Sequence, residues 1–216
     1  MTETNEASLV CIIDDDEGVR GSLDSLLRSA GFPAIAFEGP NEYLASPEAD
    51  QARCLVLDIK LKDADGLAFQ QALVESNVHV PVILITGHGD IPMTVRGMKA
   101  GAVNFLSKPF DDETFLTAVR EAVAIDERRR ASIGRDEDVR ARYETLTPRE
   151  REVMALVTAG LMNKQVAGKL SLSEITVKIH RGNLMRKMQA ESLADLVRLA
   201  EAIGARDTSV TRYHAG

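Results

Sequence analysis

The sequence predicts a two-part α/β protein: a (βα)5 doubly wound parallel-sheet domain followed by a small all-α helix-turn-helix domain. Three observations carry this. Residues 8–125 alternate five short apolar runs with amphipathic stretches, residues 126–145 are charged and almost free of large apolar side chains, and residues 146–205 hold four helix-period segments opened by capping residues.

The strands are expected at Leu9–Ile13, Ala34–Phe37, Cys54–Asp58, Val82–Thr86 and Val103–Leu106, with helical stretches near Val19–Ser29, Glu42–Ala45, Leu67–Glu75, Met93–Ala100 and Glu113–Glu127. Five strand-then-helix repeats imply a parallel sheet covered on both faces. Right-handed crossovers then gather the strand carboxyl ends on one edge, where such sheets bind ligands. The stretch 126–145, DERRRASIGRDEDVRARYE from Asp126 to about Glu144, cannot build a core and reads as a charged linker, helical on either side of Gly134. Thr147-Pro148-Arg149-Glu150 then supplies an N-cap, a first-position proline and the third residue of a capping box. That helix buries Val153, Leu156 and Val157. Asn163 is expected to cap a second helix, Ser173 a third running to about Met188, and a fourth covers roughly Leu193–Ile203; residues 206–216 form a flexible tail.

No apolar run approaches the roughly 20 residues a spanning helix needs, and the start MTETNEAS is polar, so no membrane partner and a cytoplasmic location are expected. Cys11 and Cys54 sit in separate apolar runs without zinc-ligand spacing, which predicts buried packing. The net charge of −7 speaks against nucleic-acid binding only as an average. Residues 1–125 hold 9 Lys and Arg against 20 Asp and Glu, whereas residues 146–216 hold 11 against 7. Within 160–190 there are six basic residues and Glu174 alone, so each half suits a different partner.

Two constellations carry chemistry. In the first domain Asp14, Asp15 and Asp16 follow the first strand, Asp58 ends the third, Thr86 ends the fourth and Lys108 follows the fifth. On a parallel sheet these positions converge at one edge. Carboxylates gathered there repel one another and call for a hard divalent cation such as Mg²⁺. Lys108 adds a positive charge and Thr86 a hydroxyl, the parts needed to stabilise a phosphoryl group on a carboxylate. Aspartates also cap helices after strands, but that use does not account for Asp, Asp, Thr and Lys after four strands of one sheet.

In the second domain, helix Lys164–Leu170, a turn at Ser171–Ser173 and helix Glu174–Met188 have helix-turn-helix spacing. Val177, Leu184 and Met188 share the inward face, leaving Thr176, Lys178, Ile179, Arg181, Gly182 and Met185 on the remaining surface. Such a helix can enter the major groove, where Lys178 and Arg181 meet guanine edges or phosphates and Ile179 a thymine methyl. Lys164, Arg186 and Lys187 are expected at phosphates. A solvated basic helix is the plainer reading of the same charge.

Residues 8–125 resemble the receiver domain of two-component response regulators. The resemblance implies that Asp58 accepts phosphate from a sensor histidine kinase, that Asp15 ligates Mg²⁺ directly with the Lys60 carbonyl while Asp14 acts through water, that Thr86 and Lys108 bind the phosphoryl oxygens, and that Phe105 is a switch aromatic. It also implies a cis peptide at Lys108-Pro109. The loop Asp58-Ile59-Lys60-Leu61-Lys62 departs from the family, which commonly carries a proline here; its loss leaves the loop less rigid and brings Lys62 near the pocket. Residues 146–188 resemble the LuxR-type DNA-binding domain, and Arg142-Tyr143 leading into Leu146-Thr147-Pro148 looks like the FixJ subgroup. The paired match makes the chain similar to FixJ/NarL-type regulators, which implies binding of double-stranded promoter DNA as a homodimer formed on phosphorylation, with dimer contact from about Leu193–Ala202. Two other readings compete: an adaptor acting only through protein contacts, and a phosphohydrolase. The second lacks a general base beside Asp58, so no enzyme acting on a separate substrate is expected.

Overall fold

The computed structural model describes residues 8–87 and 91–206. The apolar runs form five strands, β1 Val10–Ile13, β2 Ala34–Phe37, β3 Cys54–Asp58, β4 Val82–Thr86 and β5 Asn104–Ser107. All are parallel, in the order β2-β1-β3-β4-β5. Every residue of β1, β3 and β4 is buried, because helices cover both faces of the sheet. One face packs under α1 (Glu17–Ser29) and the first part of a long helix, α5 (Asp112–Glu144), with Ile12, Val56, Ile83, Phe115 and Val119 at its centre. The other carries Ile13, Leu57, Leu84, Tyr43 and Leu73, from the strands and from α2 (Pro40–Ala45) and α3 (Gly66–Glu75). The fourth helix, α4 (Ile91–Lys99), lies so close to β4 that a Cβ on Gly97 would stand 2.3 Å from Leu84 Cδ1. Cys11 and Cys54 are free and buried, as packing predicts, and burial pushes the Cys11 thiol up to about 12.

The stretch 126–145 differs from expectation in two ways. Helix α5 runs unbroken from Asp112 to Glu144, straight through Gly134. A single glycine costs a helix only about 1 kcal/mol, and the Ala, Arg and Glu around it are good helix formers. The stretch also buries side chains. Asp126 is fully enclosed, accepting from Arg129 Nη2 at 2.6 Å, Arg130 Nε at 2.6 Å and Arg53 Nη1 at 3.3 Å. Arg130 also donates to the Ala52 carbonyl. Val139 is buried with the apolar residues of the second unit, and Tyr143 packs beside it. The chain divides into two compact units between Arg130 and Ala131, inside the segment expected as a linker.

The second unit comprises α6 (Pro148–Thr158), α7 (Asn163–Leu170), α8 (Glu174–Met188) and α9 (Leu193–Ala202). The capping box forms as the sequence predicts: Glu150 N–H donates to Thr147 Oγ1 at 3.3 Å and Thr147 N–H to Glu150 Oε2 at 2.8 Å. Ser173 and Ser192 cap α8 and α9. Asn163 does not cap α7; it is the first helical residue, and Met162 N–H donates instead to Gln165 Oε1 at 2.9 Å. Val153, Leu156, Val157, Val166, Val177, Leu184 and Met188 form the core, and Met185, expected at the surface, packs partly against it. Ser171 turns the chain between α7 and α8 with φ 54°, a left-handed position. Residues 207–216 of the expected tail lie outside the described residues.

Candidate functional site

Strand register builds the first site. Ile13 pairs with Leu57, Asp58 with Ile85, and Thr86 with Ser107, so Asp14, Asp58, Thr86 and Lys108 follow one another along the carboxyl edge of the sheet. Lys108 N–H donates to the Thr86 carbonyl at 2.8 Å, which extends that register one residue past β5. The Lys108-Pro109 peptide is cis.

The Lys108 ammonium lies between two carboxylates, 2.6 Å from Asp14 Oδ2 and 2.5 Å from Asp58 Oδ2. The side chains of Asp14 and Asp58 are only 1% and 8% exposed, that of Lys108 21%. Each carboxylate also accepts a backbone amide on its other oxygen, from Asp16 at 2.9 Å and from Lys60 at 2.7 Å. Burial raises the Asp14 pKa above the usual carboxylate range, against the opposing pull of Lys108 and the Asp16 amide. Burial acts to lower the Lys108 pKa, but the bonds to Asp14 and Asp58 together outweigh it and hold the ammonium charged.

Asp15 is partly exposed, with Lys62 Nζ 3.9 Å from its Oδ2. Asp16 has left the pocket: its side chain caps α1 by accepting from Val19 N–H at 3.1 Å. Thr86 is buried at the end of β4, and Phe105 is half-buried on β5 beside Met93 and Leu84. Among the described residues, no three His, Cys, Asp or Glu side chains are gathered closely enough to ring a metal ion. The oxygens available are nonetheless all hard donors, a set that suits Mg²⁺.

Two features escaped the sequence. Gly66 N–H donates to the Ile59 carbonyl at 2.9 Å, and Lys60 bridges to Asp65, whose carboxylate caps α3. These bonds tie down the loop that lacks its proline. Gly66 is required here, because its Cβ would stand 2.2 Å from the Asp58 carbonyl oxygen. A glycine directly after a capping aspartate was the available signal. Arg20 is the other: its Nη1 donates to the Asp14 carbonyl at 2.7 Å.

In the second unit Lys164, Lys178, Ile179 and Arg186 are exposed. Arg181 is half-buried, and its Nη1 donates to Asn163 Oδ1 at 3.1 Å, tying α8 to the start of α7. Thr176 is half-buried against Ser173. Lys187 faces inward: its Nζ lies 2.7 Å from Glu150 Oε2 and 3.1 Å from the Thr145 carbonyl. Burial acts to raise the Glu150 pKa, but Lys187 and the Thr147 bonds hold it below the usual range. The lysine expected at a phosphate therefore neutralises a buried carboxylate of its own domain.

A parallel five-stranded sheet with an acidic carboxyl edge and a lysine behind it, followed by a capped helix-turn-helix, is the arrangement of a receiver domain with a DNA-binding domain after it. The model described as "Response regulator receiver domain" matches residues 10–120, and "Bacterial regulatory proteins, luxR family" matches residues 144–200. The chain is 51% identical over 203 residues to Nodulation protein W of Bradyrhizobium diazoefficiens, covering 94% of this chain and 89% of that one. It is 42% identical over 195 residues to the transcriptional regulatory protein FixJ of Rhizobium meliloti, covering 90% and 96%. The solved structure of the response regulator StyR superposes with a TM-score of 0.79 at 42% identity, covering 89% of this chain and 98% of that one. The chain belongs to the response regulators that join a receiver domain to a LuxR-type DNA-binding domain, a family of transcription factors that is not generally enzymatic. Among the described residues no helix is long and apolar enough to cross a membrane.

Proposed function

We propose that Asp58 is the phosphoacceptor of this regulator and that its phosphorylation by a sensor histidine kinase drives dimerisation and promoter binding. The observation that carries this reading is the Lys108 ammonium held between Asp14 and Asp58, a fixed positive charge aimed at the oxygens of the one pocket carboxylate that ends a strand. With the phosphoryl group on Asp58, Lys108 and the Thr86 hydroxyl bind its oxygens. Asp15, Asp58 and the Lys60 carbonyl would hold Mg²⁺, with Asp14 acting through water. The ion supplies charge neutralisation at the phosphoryl oxygens.

The added charge of about −1.5 to −2 favours the state in which Thr86 turns toward the phosphate and Phe105 moves inward, altering the surface of α4 and β5. Two copies then pair, and their α8 helices read half-sites about one helical turn apart. Lys178 and Thr176 meet base edges, Lys164 and Arg186 meet phosphates, and Arg181, bonded to Asn163, holds α8 against α7. The test is DNA affinity measured with and without a small acyl-phosphate donor and Mg²⁺. Wild type is expected to tighten, and Asp58→Asn to stay folded and not respond. Equal tightening by Asp58→Asn would remove Asp58 from the switch.

A further inference from the structure

We infer that Ile175 and Ile179 form an apolar ledge on α8 that recognises thymine methyl groups, so that this regulator's site must carry thymines at two neighbouring positions of each half-site. The inference rests on the DNA-binding reading above and adds what the helix selects. Ile175 is 72% exposed and Ile179 59% exposed, although α8 has no shortage of inward positions. Val177, Leu184 and Met188 already fill its core face.

At about 100° per residue, Ile175 lies nearly opposite Leu184, and Ile179 only about 40° from Ile175. The same turn-by-turn count puts Gly182 and Arg186 on this outward ridge and Lys178 on its flank, about 60° from Ile175. Arg181 falls toward the core flank, in keeping with its bond to Asn163. Two isoleucines left in water on a ridge that otherwise carries cations are a cost unless the occupant is both anionic and locally apolar. Double-stranded DNA is such an occupant. Its phosphates suit Lys178 and Arg186, and the thymine 5-methyl is the apolar group the bases present in the major groove.

The position on the helix agrees. Ile175 is the second residue of α8 and Ile179 one turn further, in the N-terminal half that meets base edges in helix-turn-helix docking. Both side chains are β-branched and stiff at χ1, so little rotamer freedom is lost on contact. Four residues rise about 6 Å along a helix, which places the two methyls within about two base pairs of each other. Gly182, next on the ridge, carries no side chain to hold the helix off the groove floor.

The test uses the full chain, phosphorylated with acyl phosphate and Mg²⁺, and duplexes enriched by it from a random-sequence pool. Enriched sites are resynthesised with deoxyuridine in place of each thymidine in turn, which removes only the methyl. Wild type is expected to lose affinity about fourfold at each of two nearby thymines, and about 15-fold when one such methyl is removed from both half-sites, from the transfer free energy of a buried methyl(ene). Ile175→Ala and Ile179→Ala, both at exposed positions and each altering both helices of the dimer, should each bind the thymidine duplex about 15-fold more weakly and become indifferent to uracil at one of the two positions.

Enriched sites with no recurrent thymine pair would overturn the inference. So would wild type binding the deoxyuridine duplexes unchanged, or both variants keeping full sensitivity. In each of those outcomes DNA binding itself stands, marked by sequence enrichment and by weakening in Lys178→Ala. Failure of wild type to enrich any sequence would instead sink the DNA-binding reading, and this inference with it.

Discussion

Replacing Lys108 with methionine tests the central electrostatic feature of the receiver pocket. The substitution keeps most of the stem volume and removes the charge, so packing changes little. It strips the ammonium from two carboxylates that are almost fully buried, leaving Asp14 and Asp58 one backbone amide each, from Asp16 and Lys60. Breaking a buried ion pair typically costs about 3–5 kcal/mol. The retained amides and the position at a sheet edge argue for the lower end, about 3 kcal/mol, which corresponds to a roughly 150-fold change in an equilibrium constant. Native-state hydrogen exchange of the β3 and β4 amides in metal-free buffer reads this unit alone, and those amides should exchange about 150-fold faster in Lys108→Met. A second variant checks the cause. Removing one of the two stranded charges, in Lys108→Met with Asp58→Asn, should restore at least half of the lost protection. Wild-type exchange rates in Lys108→Met, or a double variant less protected than the single, would refute the account in which Lys108 compensates buried charge.

Three further perturbations follow from the same geometry. Asp126→Asn should cost the first unit about 2–3 kcal/mol at pH 7, because a fully buried carboxylate held by three arginines loses its charge. Burial acts to raise the Asp126 pKa, but the bonds from Arg129, Arg130 and Arg53 hold it below the ordinary carboxylate range. Its stabilisation is therefore present above an unfolded pKa of about 3.9 and is lost as pH falls through the lower folded value, so urea midpoints of wild type and Asp126→Asn should converge below about pH 4. Lys187→Met and Lys164→Ala should separate stability from DNA contact. The first lowers the melting temperature of the second unit, since Glu150 stays buried without its partner, and leaves the salt dependence of DNA binding unchanged. The second leaves melting unchanged and reduces the slope of log affinity against log salt by about 1. Gly66→Ala should destabilise the receiver by about 2 kcal/mol or more, as its Cβ meets the Asp58 backbone, and slow acyl-phosphate labelling of Asp58 measured at a temperature where the variant is still folded.

The sheet was legible because a parallel sheet covered on both faces writes itself as continuous apolar runs, as in Val10–Ile13, Cys54–Asp58 and Val82–Thr86. The pocket was legible for the same reason: once the strands are parallel, residues that end them must share an edge, whatever their separation in sequence. Other features had no such rule behind them. Lys187 was counted with the basic residues of 160–190, yet its partner Glu150 lies 37 residues away, and Asp126 finds Arg53 at a separation of 73. Asn163 looked like a cap, but Arg181, 18 residues on, binds its side chain. Periodicity says which face of a helix a residue occupies; it does not say what stands opposite that face. A lysine that answers a buried carboxylate and a lysine that waits for a phosphate have the same sequence signature, and only the fate of the nearest acid tells them apart. The exposed isoleucines are the converse case. Ile179 is legible from the sequence as an outward residue suited to a thymine methyl, but Ile175 is an ordinary core residue by composition, and it is the filled core beneath α8 that adds it as a candidate for reading DNA.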